Sequence, residues 1–251
     1  MNKLSVVIIT LNEERNIERA LQSVQPVADE IIVMDSGSTD NTKAICDQFE
    51  LRFISTEWKG YAQTKNEANE NCSHDWILSL DADEELDDQL KQAILSEKEN
   101  GFKGCYTLNR LTNYCGKWIK HSGWYPDKKI RIFNRQTTNW TGQFVHETLE
   151  FSDNPTNIEL PGHLNHYSYY DYADHKARAD KYSLLTAQKM NAAGKKASTI
   201  KPYLSAIGRF ISMYIIKLGF LDGWAGFKIA QISAKSNILK YKELIRLNKA
   251  Q

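Results

Sequence analysis

The sequence predicts an α/β protein: a doubly wound, mainly parallel sheet flanked by helices, followed by a basic helical extension. Strand-like β-branched runs alternate with helix-spaced segments through the first third of the chain, the pattern of a sheet wound on both faces with right-handed crossovers. Each of the longer strand-like runs ends in a short polar or acidic loop. Charge is also split along the chain. Residues 176–251 hold 15 Lys+Arg against 3 Asp+Glu, net +12, and the 175 residues before them hold 17 against 28, net −11. The overall +1 conceals that division, which places a domain over residues 1–175 and an amphipathic, basic helical extension over 176–251.

The elements follow in order. Leu4 to Thr10 is a β-branched run of the kind buried on both faces of a parallel sheet. Asn16 to Val24 has helical spacing at Ile17, Ala20, Leu21 and Val24. Glu30 to Met34 is a second strand, and Asp35-Ser36-Gly37-Ser38-Thr39-Asp40 leads into a helix from Thr42. Arg52 to Ile54 is a third strand, Gly60 to Asn71 a third helix, and Asp75 to Leu80 a fourth strand. In such sheets ligands bind beyond the carboxyl ends of the strands. Thr10, Asp35 and Asp81 converge on that rim.

Asp81-Ala82-Asp83 follows the fourth strand directly. Carboxylates at i and i+2 of extended backbone point to one side, which would seat a hard divalent cation, Mg²⁺ or Mn²⁺, completed by substrate phosphates. The competing reading is a solvated loop capping the next helix, since six of the eight residues from Asp81 to Asp88 are acidic. A calcium loop is excluded, because Leu86 stands where it needs Gly and Gln92 where it needs Glu.

The middle third changes character. Gly104 to Arg135 interleaves aromatic, basic and small residues and predicts two or three antiparallel strands around a Gly/Pro-bearing loop. Beyond Asp171 the pattern is helical as far as Gly194, and again from Tyr203 to Leu247. Cys46, Cys72, Cys105 and Cys115 have no zinc-like spacing and read as the reduced thiols of a cytosolic protein. The amino terminus lacks the pattern of a signal peptide, and no apolar run approaches 18 residues.

With these segments assembled, the chain resembles the family-2 glycosyltransferases, in particular the branch that includes lipopolysaccharide core glucosyltransferases. The resemblance rests on Ser5 to Glu14, Asp35 to Asp40, Trp76 to Glu84, Gly123-Trp124-Tyr125-Pro126, Arg131-Ile132-Phe133, Val145-His146-Glu147 and Gly219 to Phe227, in that order. It implies a GT-A fold, a nucleotide-sugar donor (UDP-hexose), a divalent cation and inversion at the anomeric carbon. By the same resemblance Asp83 is the direct metal ligand, with Asp81 nearer the ribose or a metal-bound water. A histidine completes the metal set: His166, with His163 as the alternative. Glu147 matches the general base that takes the acceptor's proton, although other branches carry Glu-Asp where this chain has His-Glu. Asp35 resembles the acid that reads base or ribose, with Thr10, Asn12 and Glu13 shaping the same pocket. Glu13 equally suits a first helical turn, and Asp40 suits a cap. Lys65 and Arg131 are candidates to neutralise the diphosphate, whereas Arg135 reads as solvated. Trp124 and Tyr125 stack on a sugar or close over the donor as a lid, with core packing as the competing reading.

The extension interleaves apolar residues with Lys and Arg and is interrupted by Gly208, Gly219, Gly223 and Gly226. Such helices suit an anionic membrane surface, and packing on the catalytic domain or on a second subunit is the alternative. Nucleic acid is a poor partner, because the extension is hydrophobic as well as basic and carries no nucleic-acid motif. The expected acceptor is a glycan or glycolipid of the cell envelope, met at the inner face of the cytoplasmic membrane. The rivals are a nucleotidyltransferase, which would need a Gly-rich basic loop after the first strand, and a non-catalytic sugar-nucleotide scaffold.

Overall fold

The computed structural model describes residues 2–142 and 147–249. In chain order the elements are β1 (Leu4–Thr10), α1 (Ile17–Val24), β2 (Glu30–Asp35), α2 (Thr42–Cys46), β3 (Arg52–Ser55), α3 (Tyr61–Glu70), β4 (Trp76–Asp81), β5 (Glu84–Leu86) and α4 (Asp88–Asn100). There follow β6 (Cys105–Tyr114), β7 (Lys117–Trp118), β8 (Asp127–Asn134), β9 (Thr138–Thr141), β10 (Thr148–Phe151), β11 (Asn157–Glu159) and β12 (Leu164–Tyr169). The helices α5 (Tyr172–Ala192), α6 (Lys201–Ile211) and α7 (Gly223–Lys249) complete the chain. Two compact units result, one of residues 1–110 and 127–166, the other of 111–126 and 167–251.

In the first unit β3, β2, β1 and β4 run parallel in that order. Beyond β4 the sheet turns antiparallel through β8 and β6, and β12 pairs antiparallel with β5. The parallel half and its antiparallel continuation are the α/β architecture that the sequence predicts. β1 is buried along its whole length because both faces of the sheet are covered. Val6 and Ile8 pack with Ile17, Leu21 and Val24 of α1 and with Leu90 and Ile94 of α4. Val7 and Ile9 pack with Ala62 and Ala68 of α3 and with Trp140 of β9. Such burial removes water from roughly 1.5–3 kcal/mol worth of apolar surface per large side chain. The parallel register sets Thr10 beside Asp35 and Ile9 beside Asp81, so the three polar strand ends do share one rim.

The second unit is divided from the first elsewhere than at the boundary expected at residue 175. Residues 111–126, from the middle of the chain, belong with the helices, because Tyr114 and Ile119 are buried among Met213, Ala225 and Ile229. Charge pattern registers composition and is blind to that packing. The extension is also not one continuous helical block. After α6 the chain passes through a π-helical turn at Ser212–Ile216 and a 3₁₀ turn at Gly219–Asp222 before α7. A side chain at Gly226 would meet the Gly219 carbonyl oxygen at 1.9 Å, so the break requires glycine there. Asp222 accepts hydrogen bonds from the backbone N–H groups of Lys120 and His121 at 3.3 and 3.0 Å. Its partner His121 Nδ1 lies 2.9 Å away.

Trp124, for which the sequence left lid and core packing open, packs edge-on against Tyr114 and His175 and tilted against Tyr169. Half-buried among aromatic rings, it is part of this unit's core, and Tyr125 beside it is partly buried as well. Tyr114 Oη lies 2.7 Å from His175 Nδ1. Burial pushes His175 down to about 4 from its ordinary 6.5. The unfolded chain therefore binds a proton below pH 6.5 that the folded chain refuses until about pH 4. His175 adds stability above pH 6.5, and that contribution is lost as pH falls toward 4, by at most about 3 kcal/mol. NMR titration, with the His175→Gln variant to assign the resonance, is expected to find this imidazole neutral at pH 5.5. A midpoint at its ordinary value would contradict the burial argument.

Candidate active site

The loops after β1 and β2 are laced together. Asp35 Oδ2 accepts from the backbone N–H of Gly37 and Ser38 at 3.0 and 2.9 Å, and Asp35 Oδ1 from Ser38 Oγ. Ser38 Oγ in turn accepts from Asn12 N at 2.8 Å, and Asn12 Oδ1 accepts from Thr39 N at 2.8 Å. The side chain of Asp35, expected as a base or ribose reader, closes its own loop through these bonds. Asp40, expected as a cap, accepts from Thr42 N and Oγ1 at 3.0 and 2.6 Å, while the N-cap position of α2 is held by Asn41. Glu13 sits at the entry to α1, where its Oε2 accepts from Asn16 Nδ2 at 2.7 Å. Thr10 Oγ1 is buried without a hydrogen-bond partner, which leaves a polar atom at the rim for a ligand to satisfy.

At the end of β4 the chain turns at Ala82-Asp83 before entering β5, so the alternation expected of an extended Asp-x-Asp does not hold. The two carboxylates take different partners. Asp81 lies between cations, with Oδ1 3.1 Å from Lys65 Nζ and Oδ2 2.8 Å from Arg131 Nη2. Burial opposes its ionisation, but the charges of Lys65 and Arg131 outweigh that and hold its carboxyl well below the usual carboxylate range. Asp83 faces β12, with Oδ2 3.2 Å from His166 Nε2. The antiparallel register that sets His166 opposite Glu84 brings them together. The alternative histidine is engaged elsewhere: His163 Nδ1 lies 3.1 Å from Asp87, whose other oxygen caps α4 through Leu90 N at 2.8 Å. The two histidines named as candidate metal ligands are thus separated by their partners.

Lys65 and Arg131, expected to face a diphosphate, are buried, with side chains 1% and 5% exposed. A cation removed from water must be paired, and both are. Lys65 Nζ also lies 3.4 Å from Glu147 Oε1 and 4.8 Å from the Trp140 ring centre. Trp140 is fixed to α3 by a reciprocal pair of hydrogen bonds with Asn66 at 2.8 and 2.9 Å. Arg131 also pairs with Glu84, and Arg110 joins Glu84 to Asp127. Charges of alternating sign therefore run Glu147, Lys65, Asp81, Arg131, Glu84, Arg110, Asp127 through the first unit. Glu84, Arg110 and Asp127 carried no warning beyond an acidic run and a basic strand. Of the Val145-His146-Glu147 motif, Val145 and His146 lie outside the described residues. Glu147 immediately precedes β10, its side chain 22% exposed.

Lys65→Met leaves two carboxylates facing each other without their shared cation. It is expected to destabilise the first unit by about 3–5 kcal/mol, measured by urea denaturation. A loss below about 1 kcal/mol would mean that water already solvates this chain of charges.

Among the described residues no three His, Cys, Asp or Glu side chains converge as a closed metal cage. Asp83 and His166 supply one oxygen and one nitrogen side by side. That donor set fits a cation whose remaining ligands come from phosphate and water.

The model of glycosyl transferase family 2 matches residues 5–152. An uncharacterized glycosyltransferase of Rickettsia typhi is 30% identical over 99% of this chain and 88% of its own length. The lipopolysaccharide core biosynthesis glycosyltransferase LpsC of Rhizobium meliloti is 29% identical over 92% of this chain and 87% of its own. Among solved structures, glucosyl-3-phosphoglycerate synthase from Mycobacterium tuberculosis, in complex with Mn²⁺, UDP and glucosyl-3-phosphoglycerate, is 25% identical with a TM-score of 0.37. That match covers 46% of this chain, which spans 45% of the synthase. The chain belongs to glycosyl transferase family 2. It is a glycosyltransferase.

Proposed function

We propose that the protein is an inverting, divalent-cation-dependent glycosyltransferase. It moves a hexose from a UDP donor to a cell-envelope glycan, with the lipopolysaccharide core as the leading acceptor, at the inner face of the cytoplasmic membrane. The observation that carries the reading is the pairing of Asp83 with His166 at 3.2 Å beside a chain of charges ending on Glu147. The similarity to LpsC over most of both chains supports the choice of acceptor.

Thr10, Asn12, Glu13 and Asp35 form the nucleoside end of the site, where Thr10 Oγ1 awaits a partner. Asp83 and His166 hold Mn²⁺ or Mg²⁺, and the chemistry such a cation supplies is neutralisation of charge on the departing diphosphate. Glu147 accepts the proton of the acceptor hydroxyl as that oxygen bonds to the anomeric carbon. The bond from that carbon to the phosphate oxygen breaks on the opposite face, so UDP departs and the configuration inverts. Lys65 positions the base by holding Glu147 Oε1, and Arg131 keeps Asp81 ionised at the rim.

Donor turnover tests the reading. With a panel of UDP-sugars, Mn²⁺ and a deacylated lipopolysaccharide core acceptor, UDP release is expected with at least one donor and is expected to stop with EDTA. Consumption of no donor would favour the scaffold. Pyrophosphate release from a nucleoside triphosphate and a sugar phosphate would favour the nucleotidyltransferase, against which the acidic Leu11-Asn12-Glu13-Glu14 loop already argues.

A further inference from the structure

The second unit displays an apolar surface that its own core leaves uncovered. Eleven of the eighteen exposed large apolar side chains among the described residues fall between Ile200 and Trp224, about a tenth of the chain. Leu204, Ile207, Ile211 and Ile215 recur at steps of three and four, one face of a helix, and are 45–58% exposed. Ile216 and Trp224, at 71% and 62%, continue the exposure through the break. Folding inward is not open to this face. Met213, Ala225 and Ile229 already occupy the inner side, and the Gly219–Gly226 contact leaves no room for a closer approach.

Charge identifies what covers it. No acidic residue stands between Asp180 and Asp222, and Asp222 is itself buried against the 120–121 backbone. Lys195, Lys196, Lys201, Arg209, Lys217 and Lys228 lie in or beside the apolar segment. Lys228 Nζ sits 4.8 Å over the Trp224 ring, an amphipathic pair of the kind found where an apolar and an aqueous phase meet. A second copy meeting it with the same face would set one basic face against another. A bilayer carrying anionic headgroups satisfies both the apolar side chains and the cations.

We infer that the Ile200–Trp224 face is a membrane-docking surface that lies in the headgroup region of an anionic bilayer. Among the described residues no single helix is long and apolar enough to cross a membrane, and the two helical limbs that pass such a test together are bent by 71° at the glycine-bearing break. The bend favours a segment lying in the interface over one crossing it. This inference stands apart from the transfer chemistry, because docking needs neither donor nor cation.

The test is co-sedimentation of the full chain with vesicles. The wild type is expected to pellet with phosphatidylcholine–phosphatidylglycerol vesicles, much less with phosphatidylcholine alone, and to be released by high salt or alkaline carbonate. The triple variant Ile207→Ser, Ile211→Ser, Ile216→Ser changes exposed side chains only. It is expected to keep the wild-type circular dichroism and thermal midpoint while binding anionic vesicles at least tenfold more weakly. Wild type that stays in the supernatant with anionic vesicles, or a triple variant that binds as tightly, would overturn the inference. So would resistance of native membranes to carbonate extraction, which indicates a spanning segment. A wild-type dimer in analytical ultracentrifugation that the triple variant dissolves, without vesicle binding, would assign the face to a second copy instead.

Discussion

Glu147→Gln is expected to abolish transfer while leaving the donor bound. The substitution keeps the shape of the side chain and removes its capacity to accept a proton. General-base loss of this kind costs about 10²–10⁴-fold in rate. Lys65 keeps its partner Asp81 at 3.1 Å, so folding is expected to change little. Calorimetry with UDP and Mn²⁺ should give wild-type affinity alongside the collapse in kcat. Comparable losses of donor affinity and of rate would instead make Glu147 a binding residue. Normal turnover would remove it from the chemistry altogether.

Asp83→Ala is the second large effect. Asp83 sits at a turn and pairs with His166, so alanine removes a carboxylate without opening the core. If Asp83 and His166 share a cation, Mn²⁺ affinity in the presence of UDP should fall by at least about 100-fold, as measured by the spin-resonance signal of free Mn²⁺, with transfer lost alongside it. Altering even outer-shell partners of metal sites commonly costs 10–100-fold, so a direct ligand should cost more. His166→Ala should move Mn²⁺ affinity in the same direction, and His163→Ala should leave it alone because His163 serves the α4 cap. Equal effects from the two histidines would dissolve the distinction that their partners draw.

The sheet was legible because a parallel strand buried on both faces must be a nearly continuous apolar run. Leu4–Thr10, Glu30–Asp35 and Trp76–Asp81 obey that constraint. Its rim followed, since strand ends in register bring Thr10, Asp35 and Asp81 together. Partnerships across the chain were not legible. That Lys65 and Arg131 serve Asp81 depends on contacts 16 and 50 residues away in sequence, which neither spacing nor composition reports. The turn at Ala82-Asp83 was missed because an acidic tripeptide looks the same extended or bent. Lid and core packing stayed open for Trp124 because an aromatic in a Gly/Pro loop has one appearance in sequence whether it covers a ligand or packs a core. The basic extension was visible in charge, but its π-helical and 3₁₀ break depends on the approach of Gly219 to Gly226, a tertiary contact.

A crystal of the protein grown with Mn²⁺ and UDP, with anomalous diffraction at the manganese edge, tests the central claim most directly. The account predicts one strong peak at roughly 2.0–2.3 Å from both an Asp83 carboxylate oxygen and His166 Nε2, with the diphosphate completing the shell. A peak elsewhere, with Asp83 and His166 still in contact and no metal on them, would contradict it.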